Sequence, residues 1–376
     1  MKKIVCNKLV LDSTYPGIEF DDDGISNYYY DFQDNVLPNW KCDDKGKNEL
    51  EKNIELIKKE GKNKEFDCIL GMSGGADSSY MLHKMVTDYD LRPLVFHVDG
   101  GWNSEIAVNN INVLIEKLGL DLYTEVIEWN EMKKFQLAMF KSGVPHLDIP
   151  QDMAFIGVLY KFAHKYNIKY ILNGGNISTE SIQRPKKYIY WGGDLRQVKD
   201  ITKKFSDNNF HSFPFVSAYY YKLFLPIFKS IKILRPLNYI QYDKSKAMAE
   251  LQNLYGWKPY PQKHFESRFT RFFEGYWLPQ RFNFDMRTVD LSSLIATSQL
   301  SREDALEKLK ELPYSKDLME DDFKYVATKL DISEDELKSY ENMPQKYFYD
   351  YKNSKLIFDM GEYILSKFNI RRGGSF

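Results

Sequence analysis

Nine consecutive residues, Gly71-Met72-Ser73-Gly74-Gly75-Ala76-Asp77-Ser78-Ser79, have the types and spacing to hold phosphate. Gly74 and Gly75 allow positive φ and a close backbone approach to a ligand. Their N–H groups, with the start of a following helix, make an anion site. Ser73, Ser78 and Ser79 add hydroxyl donors, and Asp77 can cap the helix or hold Mg²⁺. The stretch lacks the Gly-Lys-Ser/Thr of a Walker loop, so the chemistry is not that of a P-loop kinase or GTPase. Read without a ligand, the same residues are a Ser/Gly turn with an Asp cap.

Such a loop must be carried by a strand and a helix, and the flanking sequence supplies both. DCILG is a short apolar run and Asp77 to Asp88 has a helical pattern. Four further apolar runs follow: RPLVFHVD, DLYTEVIE, KYILNGG and IKILRPLNYI. Helical patterns lie between them, over Ile106 to Leu118, Asn130 to Ser142 and Pro150 to Tyr166. Short apolar runs alternating with helices predict an α/β fold with a parallel sheet. Ligands then sit beyond the carboxyl ends of the strands. The residues in that position are His97, Val98 and Asp99, then Trp102 and Asn103, then Gly174, Gly175, Asn176, Ser178, Thr179 and Glu180. Lys232, Arg235 and Lys244 flank the fifth run as weaker phosphate contacts. Three regions are expected: a polar head at 1–60, the nucleotide domain at 61–250, and helices at 251–376.

Ser-Gly-Gly-x-Asp-Ser after the first strand resembles the PP-loop ATP pyrophosphatases. The resemblance implies an adenine nucleotide α-hydrolase-like fold, ATP and Mg²⁺ as cofactors, and cleavage between the α and β phosphates. It also implies that residues 73–79 grip the pyrophosphate, with Gly71 and Met72 leading into that site, while His97, Val98, Asp99, Asn173, Gly174 and Gly175 flank the nucleotide. Further segments are similar to the N-acetyl sugar amidotransferases: STYPGIEFDDDGISN, VDGGWNSE, GGNISTESI, YGWKPYPQKHFESRFTRFFEGYWLPQRFNFDMRTVDLSSLI and SREDAL. That family implies conversion of an acetamido group to acetamidino on a bacterial surface sugar. The sugar would be a nonulosonic acid such as pseudaminic or legionaminic acid, or a nucleotide-linked diacetamido sugar. The setting would be flagellin glycosylation or lipopolysaccharide biosynthesis. On this reading Ser73, Asp77, Ser78, Asn103 and Glu180 are catalytic, and Trp102, Asn103, Asn176, Ser178 and Thr179 contact the sugar. Asn103, Asn176, Ser178, Thr179 and Glu180 could equally be turn and capping residues.

His264 to Trp277 has a helical pattern, with Phe265, Phe269, Phe272 and Tyr276 as its core stripe. His264, Arg268 and Arg271 form the adjacent stripe, an expected clamp for a carboxylate or phosphate. The alternative is a solvated charged face paired with Glu266 or Glu274. Gln262 and Asp290 depart from the family pattern and are given no role. The family's N-terminal CxxC pairs correspond here to Cys6, Leu9, Ser26 and Tyr29, and one thiolate cannot make a four-ligand zinc site. No zinc is expected, and the head should be held by Tyr28, Tyr29, Tyr30, Phe32 and Trp40.

Composition narrows the class. The 376 residues are 43% hydrophobic and 28% charged, which excludes a disordered or fibrous chain. Lys plus Arg is 52 against 53 Asp plus Glu, a net charge of -1, so no nucleic-acid or acidic-membrane partner is expected. Three cysteines fit a reducing cytoplasm. The apolar run from Phe213 to Phe228 is broken by Pro214, Lys222 and Pro226, short of the roughly 18 residues of a spanning helix. The start MKKIVCNKLV is interrupted by Asn7 and Lys8, so no signal peptide is expected, nor is an exposed N-terminal cysteine, and no Gly-x-Cys-x-Gly elbow is seen. Ammonia is therefore expected from a separate glutaminase subunit or from solution, and homo-oligomers are compatible. Two other readings stay open: a tRNA-modifying PP-loop enzyme, and a nucleotide-binding protein without catalysis.

Overall fold

The computed structural model describes residues 3–207 and 209–367. All five apolar runs are strands: β1 Cys68–Gly71, β2 Pro93–Asp99, β3 Leu122–Val126, β4 Tyr170–Leu172 and β5 Lys232–Leu234. They form one parallel sheet in the order β3-β2-β1-β4-β5. Because β1 is central, its carboxyl end lies between the ends of β2 and β4. The strand order reverses there, the position where open α/β sheets bind ligands.

Side-chain alternation sends the two faces of the sheet into different cores. Cys68, Leu70, Val95, Tyr170, Leu172 and Leu234 pack with Met81, Leu82, Ile111, Leu114 and Leu251 from helices on one face. The helix Asp44–Gly61 joins this layer through Leu50, Ile54 and Ile57. Ile69, Leu94, Phe96 and Ile171 face the other way, onto Met153, Val158 and Phe162 of the helix Ile149–Lys165. That second core runs without a break into Phe269, Phe272, Phe273, Trp277, Val326 and Leu330 of the C-terminal helices.

The head is a turn-rich cap on those helices. The Cys6 sulfur accepts N–H groups from Leu9 at 3.4 Å and Ser26 at 3.2 Å. Arg302 donates to the carbonyls of Cys6 and Leu9, both at 3.0 Å. Tyr15 and Tyr28 meet edge to face, and Phe32 is buried. Among the described residues, no group of three or more His, Cys, Asp or Glu is placed to hold a metal ion. Among the same residues, no helix is long and apolar enough to cross a membrane.

Candidate functional site

The phosphate loop is shaped by its neighbours. Gly74 has φ +82, open to glycine at little cost. Its carbonyl is pinned by Trp257 Nε1 at 3.1 Å, Tyr260 OH at 3.3 Å and Asn110 Nδ2 at 3.4 Å. A Cβ at Gly74 would come within 2.7 Å of the Ala107 carbonyl oxygen. Gly75 caps the helix Ala76–Thr87, and no side chain accepts from its first turn. Those first-turn N–H groups have no intrahelical partner. An uncapped helix start with two hydroxyls beside it fits an anion: Ser73 and Ser78 oxygens are 3.2 Å apart, and Gly75 N donates to Ser73 Oγ at 3.2 Å.

β2 and β4 complete the rim. His97 Nδ1 donates to the Met72 carbonyl at 2.8 Å, an acceptor only, so Nε2 accepts from Asn103 Nδ2 at 2.8 Å. Asn103 also donates to Asp99 Oδ1 at 3.1 Å. On the β4 side, a Cβ at Gly174 would lie 3.2 Å from Ser78 N, so the two turns touch. The half-buried Val98 sits between His97 and Asp99 on β2.

The charges around Asp77 centre on Lys263. Its Nζ lies 2.7 Å from Glu180 Oε1, 2.9 Å from Thr179 Oγ1 and 3.3 Å from Asp77 Oδ2. Tyr242 OH donates to Asp77 Oδ1 at 2.5 Å. Burial opposes the charge on Asp77, but Lys263, Lys244 and the Tyr242 hydrogen bond outweigh it and hold the carboxyl below its ordinary value. Glu180 is likewise depressed, burial being overcome by Lys263 and Arg184. Lys263 is raised: burial disfavours its charge, and Glu180, Asp77 and Asp290 more than restore it. Next to it, the Arg184 guanidinium lies 3.3 Å from His264 Nδ1 and 4.0 Å from both Glu274 and Asp290. A chamber of about 10 Å³ beside Lys263, Glu274 and Asp290 is large enough for one water-sized molecule. A cavity of about 1010 Å³ lies elsewhere, between β3 and the residues Ser212 to Tyr220.

Several expected contacts fall differently. Ser79 is fully buried: its N–H goes to the Gly75 carbonyl, and its hydroxyl has no hydrogen-bond partner among the described residues. Lys232 opens β5, paired in register with Tyr170, which puts it at the amino edge of the sheet, away from the phosphate loop. Trp102 is 1% exposed and packs on Trp129, Phe269 and Tyr325. Asn176 caps the short helix Ile177–Glu180 through Thr179 N, and Ser178 Oγ donates to the Tyr242 carbonyl. His264 has φ +65 and precedes the helix, which starts at Arg268 behind a Ser267 cap. The predicted arginine clamp is closed internally: Arg268 and Arg271 both hold Asp322, which is fully buried. Sequence reasoning missed Lys263, Tyr242, Arg184 and Glu266. Lys263 and Glu266 sit in the KHFESRF segment already quoted, and Tyr242 follows β5, so strand-end position could have found it.

The C-terminal segment reaches the loop directly. Residues 102–104 pair with 266–268 through Ser104 N to the Glu266 carbonyl at 3.0 Å and Arg268 N to the Trp102 carbonyl at 2.8 Å. This pairing sets Glu266 against the loop: a Cβ at Gly75 would be 2.8 Å from Glu266 Oε1. Residues 266–365 match the family described as "LPS biosynthesis protein WbpG-like, C-terminal domain". The chain carries a WbpG-like C-terminal domain. The WbpG-like domain thus begins at the residue that touches the phosphate loop.

A search of curated proteins gives no match. Among solved structures, the chain is similar to an NH3-dependent NAD synthetase from Campylobacter jejuni, with 17% identity and a TM-score of 0.27. That match covers 35% of this chain and 57% of that one. An NMN synthetase from Francisella tularensis matches at 14% identity and TM-score 0.28, over 58% of this chain and 94% of that one. An NAD+ synthetase from Burkholderia pseudomallei matches at 14% and 0.23, over 57% and 91%. The fold assignment rests on the strand order and the elements themselves: a five-stranded parallel α/β sheet with a helical C-terminal region.

Proposed function

We propose that the protein is an ATP-dependent, AMP-forming amidotransferase that converts an acetamido group on a bacterial surface sugar to acetamidino. The observation that carries this reading is the uncapped helix start at Gly75, set at the central strand's end and touched by Glu266 of the WbpG-like domain. An amide carbon is a poor electrophile. Attack of its oxygen on the α-phosphorus of ATP forms an adenylyl imidate and releases pyrophosphate, with loss of the amide proton. The loop N–H groups, the helix start, Ser73 and Ser78 would take the leaving charge. Ammonia then adds to the imidate carbon, and AMP leaves as the C–O bond breaks.

Asp77 and Glu180 are hard oxygen donors suited to Mg²⁺, which would neutralise phosphate charge when bound. As arranged, Lys263 neutralises both, so Asp77 would have to exchange its ammonium partner for the metal. His97, Asn103 and Asp99 form a rigid polar rim suited to orienting the nucleotide or the acetamido group. The nonulosonic acids and the nucleotide-linked diacetamido sugars are the substrate candidates, with ammonia from a separate glutaminase or solution.

The test incubates the chain with ATP, Mg²⁺, ammonium and a panel of acetamido sugars. Sugar-dependent AMP and pyrophosphate, with replacement of one oxygen by NH in the product's mass, are expected. ADP as the spent nucleotide, or AMP formation indifferent to every sugar, refutes the proposal.

A further inference from the structure

The segment from 208 to 242 contains no Asp or Glu, in a chain that has 53 of them, yet it includes Lys222, Lys229, Lys232 and Arg235. The balanced net charge hides a stretch of one sign. Within it, a wide turn Tyr220–Phe224 runs directly into the helix Leu225–Phe228. One side faces inward: Tyr221 and Leu225 are buried in the core, with Tyr221 stacked on Tyr160 at 5.5 Å. The other side is open. Tyr220 and Phe224 are each 42% exposed, Ile227 67% and Phe228 69%. At i, i+4 spacing, Tyr220, Phe224 and Phe228 form a ladder with ring centroids 5.5 and 4.9 Å apart.

The surroundings extend this face. Ile233, 51% exposed on edge strand β5, is in register with Ile171 and so shares the sheet face whose core receives Leu225. Tyr220 also walls the large groove, together with Pro214, Phe215 and Val216. Lys229 is exposed at the end of the helix, while Lys232, in register with Tyr170, projects from the opposite sheet face with its Nζ 5.6 Å from the Tyr170 ring centroid.

We propose that this face rests on an anionic lipid surface, with the aromatic ladder at headgroup depth and Lys229 against lipid phosphate. Aromatic and aliphatic side chains on one side of a short helix, with a lysine at its margin, fit an element lying in the interface. Charge decides against a second copy: it would bring Lys229 against its own copy, and the segment has no carboxylate to answer it. A protein partner fits less well, because protein interfaces deplete lysine where lipid headgroups attract it. With no spanning helix among the described residues, the contact is peripheral. So small a face with one flanking cation gives reversible, salt-sensitive binding.

The experiment floats the purified full chain with phosphatidylcholine vesicles, with and without phosphatidylglycerol, at low and high salt. Binding to the phosphatidylglycerol vesicles alone is expected, weakened by salt. F224S/F228S, which alters exposed side chains, should lower binding roughly tenfold or more, and K229E severalfold. Unchanged melting temperatures check that both variants fold. Absence of wild-type binding to anionic vesicles overturns the proposal. So does binding that F224S/F228S leaves intact, as purely electrostatic contact would. Concentration-dependent dimerisation lost in F224S/F228S, without vesicle binding, would give the face to a second copy. None of these outcomes depends on the reaction assigned above.

Discussion

Lys263 is a buried ammonium whose donors meet Glu180, Thr179 and Asp77. Removing such a cation leaves two carboxylates close together without the ammonium they share, a change that typically costs about 3–5 kcal/mol. Lys263→Met should therefore lower stability by that order at neutral pH. The sign of its pH dependence follows from the carboxylates. Asp77 and Glu180 are both depressed below their ordinary values of 3.8 and 4.5, so the stability they contribute is present above those values and lost as pH falls. In Lys263→Met that contribution is gone, so the deficit should be largest near neutrality and shrink in acid, where both groups protonate. Calorimetric melting across pH checks this, and a deficit that stays constant with pH contradicts it. Glu180→Gln added to Lys263→Met should recover part of the loss, because one of the stranded charges is then absent. Gly74→Ala tests the loop itself. A Cβ there meets the Ala107 carbonyl at 2.7 Å in a left-handed backbone, so the Gly74 peptide must turn. ATP affinity, measured by calorimetric titration, should fall at least about tenfold, the equivalent of a ~1–3 kcal/mol backbone rearrangement.

Among the elements, the helix after Ser267 carries a prediction that separates structure from substrate binding. Arg268 and Arg271 converge on Asp322, whose side chain is fully buried. Arg268 also lies over the Tyr325 ring at 3.7 Å. Arg268→Ala with Arg271→Ala would strand a buried charge, so a loss of about 3–5 kcal/mol in stability is expected. At a temperature where the variant remains folded, the KM for sugar should be unchanged, and a KM raised tenfold with stability intact would restore the clamp. The five strands were legible because each is a short apolar run closed by glycine or polar residues, and a buried parallel sheet demands that pattern. The phosphate loop was legible because glycines and serines fall between such a run and a helix. The start of the helix at Arg268 was not. His264 to Ser267 fit a helical period, but residues 266–268 pair with 102–104 across the chain, and that contact overrides local periodicity. Lys263 was illegible for the same reason: its partners lie at positions 77, 179 and 180, a relation that no local spacing displays.

At the scale of the whole molecule, the sheet layer and the WbpG-like domain meet through a buried carboxyl. Asp148 precedes the helix Ile149–Lys165, and its Oδ2 accepts from Thr270 Oγ1 at 2.6 Å across that boundary. Gln151, which donates to Asp148, also accepts from Ser267 at 3.2 Å. Burial, with Asp152 nearby, pushes Asp148 up to about 7, against the hydrogen bonds from Thr270 and Gln151 and the charge of His146. A folded-state value above the ordinary 3.8 means the folded protein holds a proton that the unfolded chain has released. Stability from this group is complete below about pH 4 and declines as pH rises to about 7, beyond which the decline levels off. Asp148→Asn keeps the shape and never ionises, so it should be more stable than the native chain at pH 8 by roughly 1–4 kcal/mol. Near pH 4 the two should converge. Melting curves at the two pH values decide it: a variant less stable at both would mean that the ionised carboxylate, and not the protonated acid, joins the sheet layer to the WbpG-like domain.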